Sequence, residues 1–377
     1  MDGVKSIGNR NSLRVMLFNL ATDADDPILG FTTRWIRALA AKVHSVQVIT
    51  MRAGRVEVPE NVQVHSVGKE RGYTEPRRAV EFYRLLVNVL KSGSVDVCFA
   101  HMMPLFAIMA APVLKIKGIP IVTWYAYPTG TVRLKVAERV SDQMVTGIYE
   151  SYPYRSMKLR ALGHGIDTEL FSPDPAVLPT APPTILCAGR LSPIKDHPTL
   201  LSALSLLRRD SGVPFRAVVL GGPAGPEDNA YISSLHESTR ALGLEEMVSW
   251  RPPVPLAELP VWYRRSALHV NMSPIGSVDK VVLEAMACCT PSITANEGFR
   301  ATGGAYFDRL YFTHGNAADL ATKLGYWLTL PRTERANAGA YLREQVVRTH
   351  NLEALTSRLV NLFLELQGKR RSLRVSP

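Results

Sequence analysis

Two stretches of this chain carry residue types suited to handling a phosphorylated ligand. Ser273 to Ala287 reads S-P-I-G-S-V-D-K-V-V-L-E-A-M-A. Its small-residue loop (Gly276, Ser277, Val278, Asp279) runs straight into a helical pattern that begins at Lys280. Loop amides and a helix N-terminus together make a site for an anion. Glu284 follows about one turn into that helix, where a carboxylate can accept hydrogen bonds from a sugar diol. It stands in an otherwise apolar run, so burial would require a partner for it. The second stretch, Gly189 to Asp196, reads G-R-L-S-P-I-K-D. Arg190 sits just past the apolar run Thr184 to Ala188, and Lys195 follows in the same loop. Two cations beside a phosphate cradle would stabilise a departing diphosphate. Read alone, both are equally surface cations at a helix start. Gly221-Gly222, after another strand-like run, fits close backbone approach to phosphate or a plain turn.

The elements that must position these groups repeat one pattern twice. Leu13 to Asn19 and Ser45 to Thr50 read as strands around a helix from Phe31 to Val43. Val62 to Val67, Val95 to Ala100, Ile121 to Tyr125, Met144 to Ile148 and Met157 to Leu162 read as further strands, with helices over Pro76 to Lys91, Leu105 to Lys117 and Thr131 to Val140. In the Pro76 helix, Val80, Tyr83, Leu86, Val87 and Leu90 are expected to face the core. The alternation predicts an α/β fold, a doubly wound parallel sheet with helices on both faces. Proline density over residues 171–182 breaks it and reads as a linker. The pattern then restarts: strands over Pro183 to Ala188, Phe215 to Gly221, Met247 to Trp250, Ala267 to Asn271, Ser292 to Ala295 and Leu310 to Phe312, with helices between them. Asp196 is the expected N-cap of the helix at Pro198 to Arg209. The expected domains are therefore 1–170 and 183–350. Residues 351–377 form a last helix and basic tail, with packing back onto the first domain one placement for that helix. Ligands of open α/β sheets sit beyond the carboxyl ends of the strands. Gly30, His101, Arg190, Gly222 and Gly276 all fall there; Gly30 is alternatively a turn residue and His101 a satisfied strand-end histidine.

Length and composition bound the rest. At 377 residues, with 46% hydrophobic and 20% charged residues, the chain is that of an ordinary globular protein large enough for two domains. No window of about eighteen uncharged apolar residues occurs, and the polar N-terminus has no signal-peptide pattern. A cytoplasmic location is expected, with peripheral contact at the inner membrane face left open. The four cysteines lie in apolar runs without metal-ligand spacing and read as buried thiols. The net charge of +11 is scattered, with a modest bias toward residues 1–170, and favours anionic partners.

The motifs also carry a resemblance. A-G-R-L-S-P-I-K-D-H-P-T-L-L-S-A-L, V-V-L-G-G, V-S-W-R-P-P-V-P-L-A-E-L and V-V-L-E-A-M-A-C-C-T-P-S-I resemble, in order and spacing, the C-terminal domain of retaining glycosyltransferase family 4. G-H-G-I-D-T-E-L-F is similar to the family's approach to its linker, and Gly30 stands where its first glycine loop falls. The resemblance implies a GT-B fold, two Rossmann-like domains with an interdomain cleft. It also implies a nucleotide-activated sugar as substrate, held mainly by the second domain (183–350), and an acceptor held mainly by the first (1–170). Arg190 and Lys195 match the pair that contacts the donor diphosphate, and Glu284 matches the second glutamate of the Glu-x7-Glu motif, on the ribose. Gly222 and Val254 fall on the donor side. The first glutamate would fall at Gly276, so Asp279 or Lys280 is left to replace it. Trp124-Tyr125-Ala126-Tyr127 stands where many members have a histidine near the donor sugar; Tyr125, Tyr127 or His101 is the candidate substitute. The default donor is a uridine diphosphate sugar, and the acceptor a hydroxyl of a glycan, glycolipid or natural product.

Without a carboxylate at 276, front-face departure and attack with retention is expected rather than double displacement. Asp23-Ala24-Asp25-Asp26 contains a D-x-D but reads as a polar loop, so neither a metal nor another cofactor is expected. The alternatives are a GT-B nucleotide-sugar epimerase, a glycan phosphorylase and a non-catalytic nucleic-acid binder. The epimerase lacks its best acid/base candidate at 276. The phosphorylase lacks a pyridoxal lysine context. The nucleic-acid binder lacks a dense basic patch apart from Lys369-Arg370-Arg371. Oligomeric state, acceptor and donor sugar are not readable from the chain.

Overall fold

Short apolar β-forming runs alternate with helices along almost the whole chain, and all but one of the expected runs become parallel strands among the described residues. The computed structural model describes residues 12–26, 29–223, 225–274 and 278–375. It divides into two units: Met1–Gly165 with Leu352–Pro377, and Ile166–Asn351.

The first unit contains β1 (Arg14–Thr22), α1 (Phe31–Ala40), β2 (Ser45–Ala53), β3 (Val62–Ser66), α2 (Glu75–Ser92) and β4 (Val97–His101). It continues with α3 (Pro104–Ile116), β5 (Ile121–Trp124), α4 (Val132–Val140), β6 (Gln143–Thr146) and β7 (Leu159–Ala161). The strands form one parallel sheet in the order β3-β2-β1-β4-β5-β6-β7. The sheet grows in both directions from β1, so the order reverses between β1 and β4. One face packs Trp35, Ile36 and Leu39 of α1; the other packs Phe82 and Leu86 of α2 and Phe106 of α3. The strands read as continuous apolar runs because they are covered on both faces.

α2 turns a different face inward from the one its spacing suggests. Phe82, Leu85, Leu86 and Val89 are buried, and Val80, Tyr83 and Val87 point to solvent. Phe82 decides this, because its ring meets Phe18 at 5.5 Å and Phe106 at 4.5 Å in the core. Burying that aromatic group outweighs burying the smaller valines.

The second unit contains β8 (Thr184–Ala188), α5 (His197–Ser211), β9 (Arg216–Leu220), α6 (Asn229–Ala241) and β10 (Val248–Arg251). It continues with α7 (Leu259–Arg265), β11 (Leu268–Asn271), α8 (Lys280–Ala287) and β12 (Ser292–Thr294). Four helices follow: α9 (Arg300–Gly303), α10 (Phe307–Leu310), α11 (Ala317–Thr329) and α12 (Arg332–His350). Its parallel sheet has the order β10-β9-β8-β11-β12, reversing between β8 and β11. The strand expected at 310–312 shrinks to a single bridge from Tyr311 to Thr294, because a helical turn holds Tyr311 N–H on Phe307 O at 2.8 Å. Residues 171–182 group with this unit; the Thr180 N–H donates to Arg265 O at 3.0 Å and Phe171 is buried.

The last helix, α13 (Leu352–Val375), joins the first unit. Leu355, Leu359 and Phe363 recur at helical spacing and are buried with Trp35 and Phe99. Arg160 of β7 grips Glu365 through two hydrogen bonds of 2.8 and 3.0 Å. Among the described residues no helix is long and apolar enough to cross a membrane.

Candidate active site

In the second unit the order reverses between β8 and β11, so the loops after these two strands lie side by side at their carboxyl ends. They are the loops that carry Gly189 to Asp196 and Met272 to Asp279. A small pocket there is lined by Gly189, Arg190, Lys195, His197, Asn271 and Met272.

Backbone contact shapes the first loop. Gly189 has φ +141°, and a Cβ placed on Gly221 would stand 1.8 Å from Gly189 O. Only glycine fits either position. The approach lets the ladder run on past the strands: Gly189 N–H donates to Leu220 O at 3.0 Å and Leu191 N–H to Gly222 O at 2.8 Å. Arg190 is therefore held between two ladder bonds, with its side chain exposed. Gly222 in turn approaches the loop carrying Val254, since a Cβ on it would meet the Pro253 ring at 3.2 Å. Val254 itself is half-buried.

Lys195 ends a short turn, Pro193–Lys195, and its ammonium donates to Asp279 Oδ2 at 2.6 Å. Asn271, the last residue of β11, donates to the same oxygen at 2.8 Å. Burial pushes the Asp279 carboxyl up, but the Lys195 charge and the hydrogen bonds from Lys195 and Asn271 outweigh it and hold it below the usual carboxylate range. Arg190 and Lys195 thus line the same pocket, but Lys195 already has an anionic partner. Asp196 is not a conventional N-cap: its backbone is left-handed, with φ 49°, and its carboxylate accepts from the Thr199 hydroxyl at 2.7 Å rather than from a backbone amide.

Gly276 and Ser277 lie outside the described residues. The Val278 side chain is buried, so only its backbone is available to a ligand. Lys280 and Glu284 stand one turn apart on α8, and Glu284 is only 7% exposed. Burial raises the Glu284 carboxyl above its usual range, opposed by the Lys280 charge; burial lowers Lys280, opposed by Glu284. The fully buried Tyr263 donates its hydroxyl to Glu284 Oε2 at 3.2 Å. That bond supplies the partner that a carboxylate in an apolar run requires.

Sequence reasoning missed Asn271, His197 and Tyr263. Asn271 was findable as the polar end of a strand at the reversal; Tyr263, on a distant helix, had no local signal. His197 is 2% exposed, held by the Tyr231 hydroxyl at 3.2 Å, and lowered to about 4 by burial and the nearby Lys195 charge, so it is neutral at physiological pH. Ser192 Oγ and Asn271 Oδ1 are buried polar atoms with no partner among the described residues. Atoms of this kind at a strand-end pocket fit a polar ligand.

In the first unit, Gly30 caps α1 beside the Asp26 carbonyl. His101, at the end of β4, is 7% exposed and packs against Trp35, with centroids 4.7 Å apart, as well as Phe31 and Trp124. The Tyr125 hydroxyl turns back to Thr129 O at 3.0 Å, whereas Tyr127 is exposed. The acidic loop is tied internally: Asp25 pairs with Arg55, Asp26 with Arg52, and Asp23 accepts the Asp25 and Arg55 amides at 3.0 Å. Among the described residues no cluster of three metal-ligating side chains occurs.

Residues 171–345 match a family profile described as Glycosyl transferases group 1, and residues 31–126 match one described as Glycosyltransferase Family 4. A D-inositol 3-phosphate glycosyltransferase of Kineococcus radiotolerans is 35% identical over 145 residues, 36% of this chain and 33% of that relative. Its counterpart from Frankia alni is 33% identical over 179 residues, 45% of this chain and 43% of the relative. The matches thus span less than half the length of these relatives. Among solved structures, sucrose-phosphate synthase from Thermosynechococcus elongatus aligns over 95% of this chain and 100% of its own, with a TM-score of 0.77 and 18% identity. Anabaena HepE in complex with UDP-glucose aligns over 94% and 100%, with a TM-score of 0.71 and 15% identity. At such identities these likenesses speak for the fold.

Proposed function

Because this chain belongs to glycosyltransferase family 4 and has the GT-B fold, we propose that it transfers a hexosyl group from a nucleoside-diphosphate sugar to a hydroxyl acceptor with retention of anomeric configuration. The observation that carries this reading is the meeting of Arg190, Lys195 and the start of α8 at the carboxyl ends of β8 and β11. Cleavage of a sugar–phosphate bond builds negative charge on the diphosphate, and fixed cations aimed at that charge are an efficient catalyst. Glu284, fixed by Tyr263, is the candidate partner of the nucleotide ribose. Double displacement requires a carboxylate poised on the anomeric carbon. Asp279 is held through one oxygen by both Lys195 and Asn271, which favours front-face attack instead.

UDP-sugars are the default donor. The UDP-glucose bound in the HepE structure makes UDP-glucose the first to test. The names of the curated relatives make a phosphorylated cyclitol a reasonable first acceptor, beside glycan, glycolipid and natural-product hydroxyls. Metal independence is part of the proposal and predicts that chelation leaves transfer unchanged. Peripheral membrane contact is proposed for α2, whose outer face presents Val80, Tyr83 and Val87 among Arg77, Arg84 and Lys91. Failure to float with acidic liposomes at low salt would remove that part. A GT-B epimerase is not favoured by the transferase profiles.

A thermal-shift series with UDP, GDP, ADP and their sugars tests the reading directly, since a ligand of the native state raises its melting temperature. A stabilising donor, followed by product formation with an added acceptor, is the expected result. No response to any nucleotide would overturn it, and isomerised donor in the absence of acceptor would favour the epimerase.

A further inference from the structure

The opposite end of the second sheet's strands carries a feature that donor chemistry does not use. Where α8 runs into β12, Cys288 to Pro291 line a cleft of about 480 Å³ together with residues preceding β8 and β11. These are the amino ends of the strands, away from Arg190 and Lys195. The volume lies in the range of small-molecule sites, roughly 300–1,000 Å³. Prolines of the 173–183 segment, alanines and a few hydroxyl side chains make up much of its lining.

The charged groups of the cleft are Arg264, Arg332, Arg335 and Asp174. Arg264 is committed: it donates to Ser172 O at 2.6 Å and lies 3.8 Å from Asp174. Arg332 and Arg335 are different. They stand on the first turn of α12, and neither pairs with a carboxylate among the described residues. Arg335 is half-buried, and one nitrogen donates to the carbonyls that end α11, Trp327 O and Leu328 O at 3.1 Å among them. Those bonds hold the guanidinium by one nitrogen, and among the described residues the other two have no hydrogen-bond partner. Burial and the neighbouring Arg332 charge both disfavour the charged form of Arg335. A dianion between the two would relieve that repulsion, and phosphate oxygens match two guanidinium forks geometrically.

We propose that this cleft is a binding site for a phosphate-bearing small molecule, held by Arg332 and Arg335 and separate from the donor site. It goes beyond the transferase reading and does not depend on it.

The test is calorimetric titration of the full chain with inorganic phosphate and with glucose 6-phosphate, each with and without UDP. Binding that is unchanged by UDP and weakened at least about tenfold in Arg332→Glu is expected, because the loss of a charge-assisted contact acts on affinity directly. Arg332 is exposed and its side chain makes no hydrogen bond among the described residues, so the variant should melt no lower than the parent. Arg335→Lys, which keeps the charge but loses the fork, should weaken binding less than Arg332→Glu. Alkylation of Cys289, half-buried in the cleft, should slow when glucose 6-phosphate is present. Absence of binding, displacement by UDP, or affinity indifferent to Arg332→Glu would each overturn the proposal.

Discussion

Lys195 and Asp279 meet at 2.6 Å across the reversal of the second sheet, although 84 residues separate them in the chain. The ammonium that would face a donor diphosphate therefore already holds a carboxylate, itself retained in its charged form. A diphosphate arriving at this pocket competes with Asp279 for Lys195.

Asp279→Asn should accordingly bind UDP more tightly, by roughly tenfold or about 1.4 kcal/mol. Titration of UDP into both proteins checks this. Weaker binding by the variant would mean that Asp279 orients Lys195 rather than competing for it.

Arg190→Ala should lower the transfer rate by about 100- to 1,000-fold, the scale set by loss of one group that stabilises developing charge. Its side chain is exposed, so the melting temperature should be unchanged. A full-rate variant would place the charge stabilisation elsewhere.

Glu284 gives a pH signature. Burial raises its carboxyl in the folded chain, so its contribution to stability is present below the ordinary carboxylate range and lost as pH rises through the folded value. Glu284→Gln has no such loss. Its melting temperature relative to the parent should climb between about pH 5 and about pH 8, as thermal denaturation at several pH values would show.

Gly221→Ala should destabilise the second unit by at least about 1–3 kcal/mol, because the new Cβ has no room beside Gly189 O. Gly93→Ala is the control: its extended backbone suits any residue and nothing stands within 4 Å, so it should stay within about 0.5 kcal/mol of the parent. Urea denaturation of both measures the contrast.

Phe363→Ala should cost about 3–5 kcal/mol, the usual range for emptying a buried aromatic site. Phe363 is fully buried, with its ring 5.7 Å from Phe99. An unchanged denaturation midpoint would show that the terminal helix does not stabilise the first unit.

Much of this was legible in the chain because it is written locally. Strand and helix periods, the glycines after β8 and β9, and the apolar setting of Glu284 are properties of neighbours in sequence. They were enough to foresee two parallel α/β sheets and to single out Arg190, Lys195 and Glu284. Partnerships between distant segments were not legible. The pairing of Lys195 with Asp279, the Tyr263 hydroxyl on Glu284 and the docking of Phe363 beside Phe99 depend on which strands become neighbours and which helix face wins the core. Local spacing even misassigned α2, where several apolar residues compete for one buried face and only the volume left by Phe18 and Phe106 selects Phe82. Residue type and period are carried by the chain itself, whereas charge pairing and burial exist only once packing brings remote groups within a few ångströms.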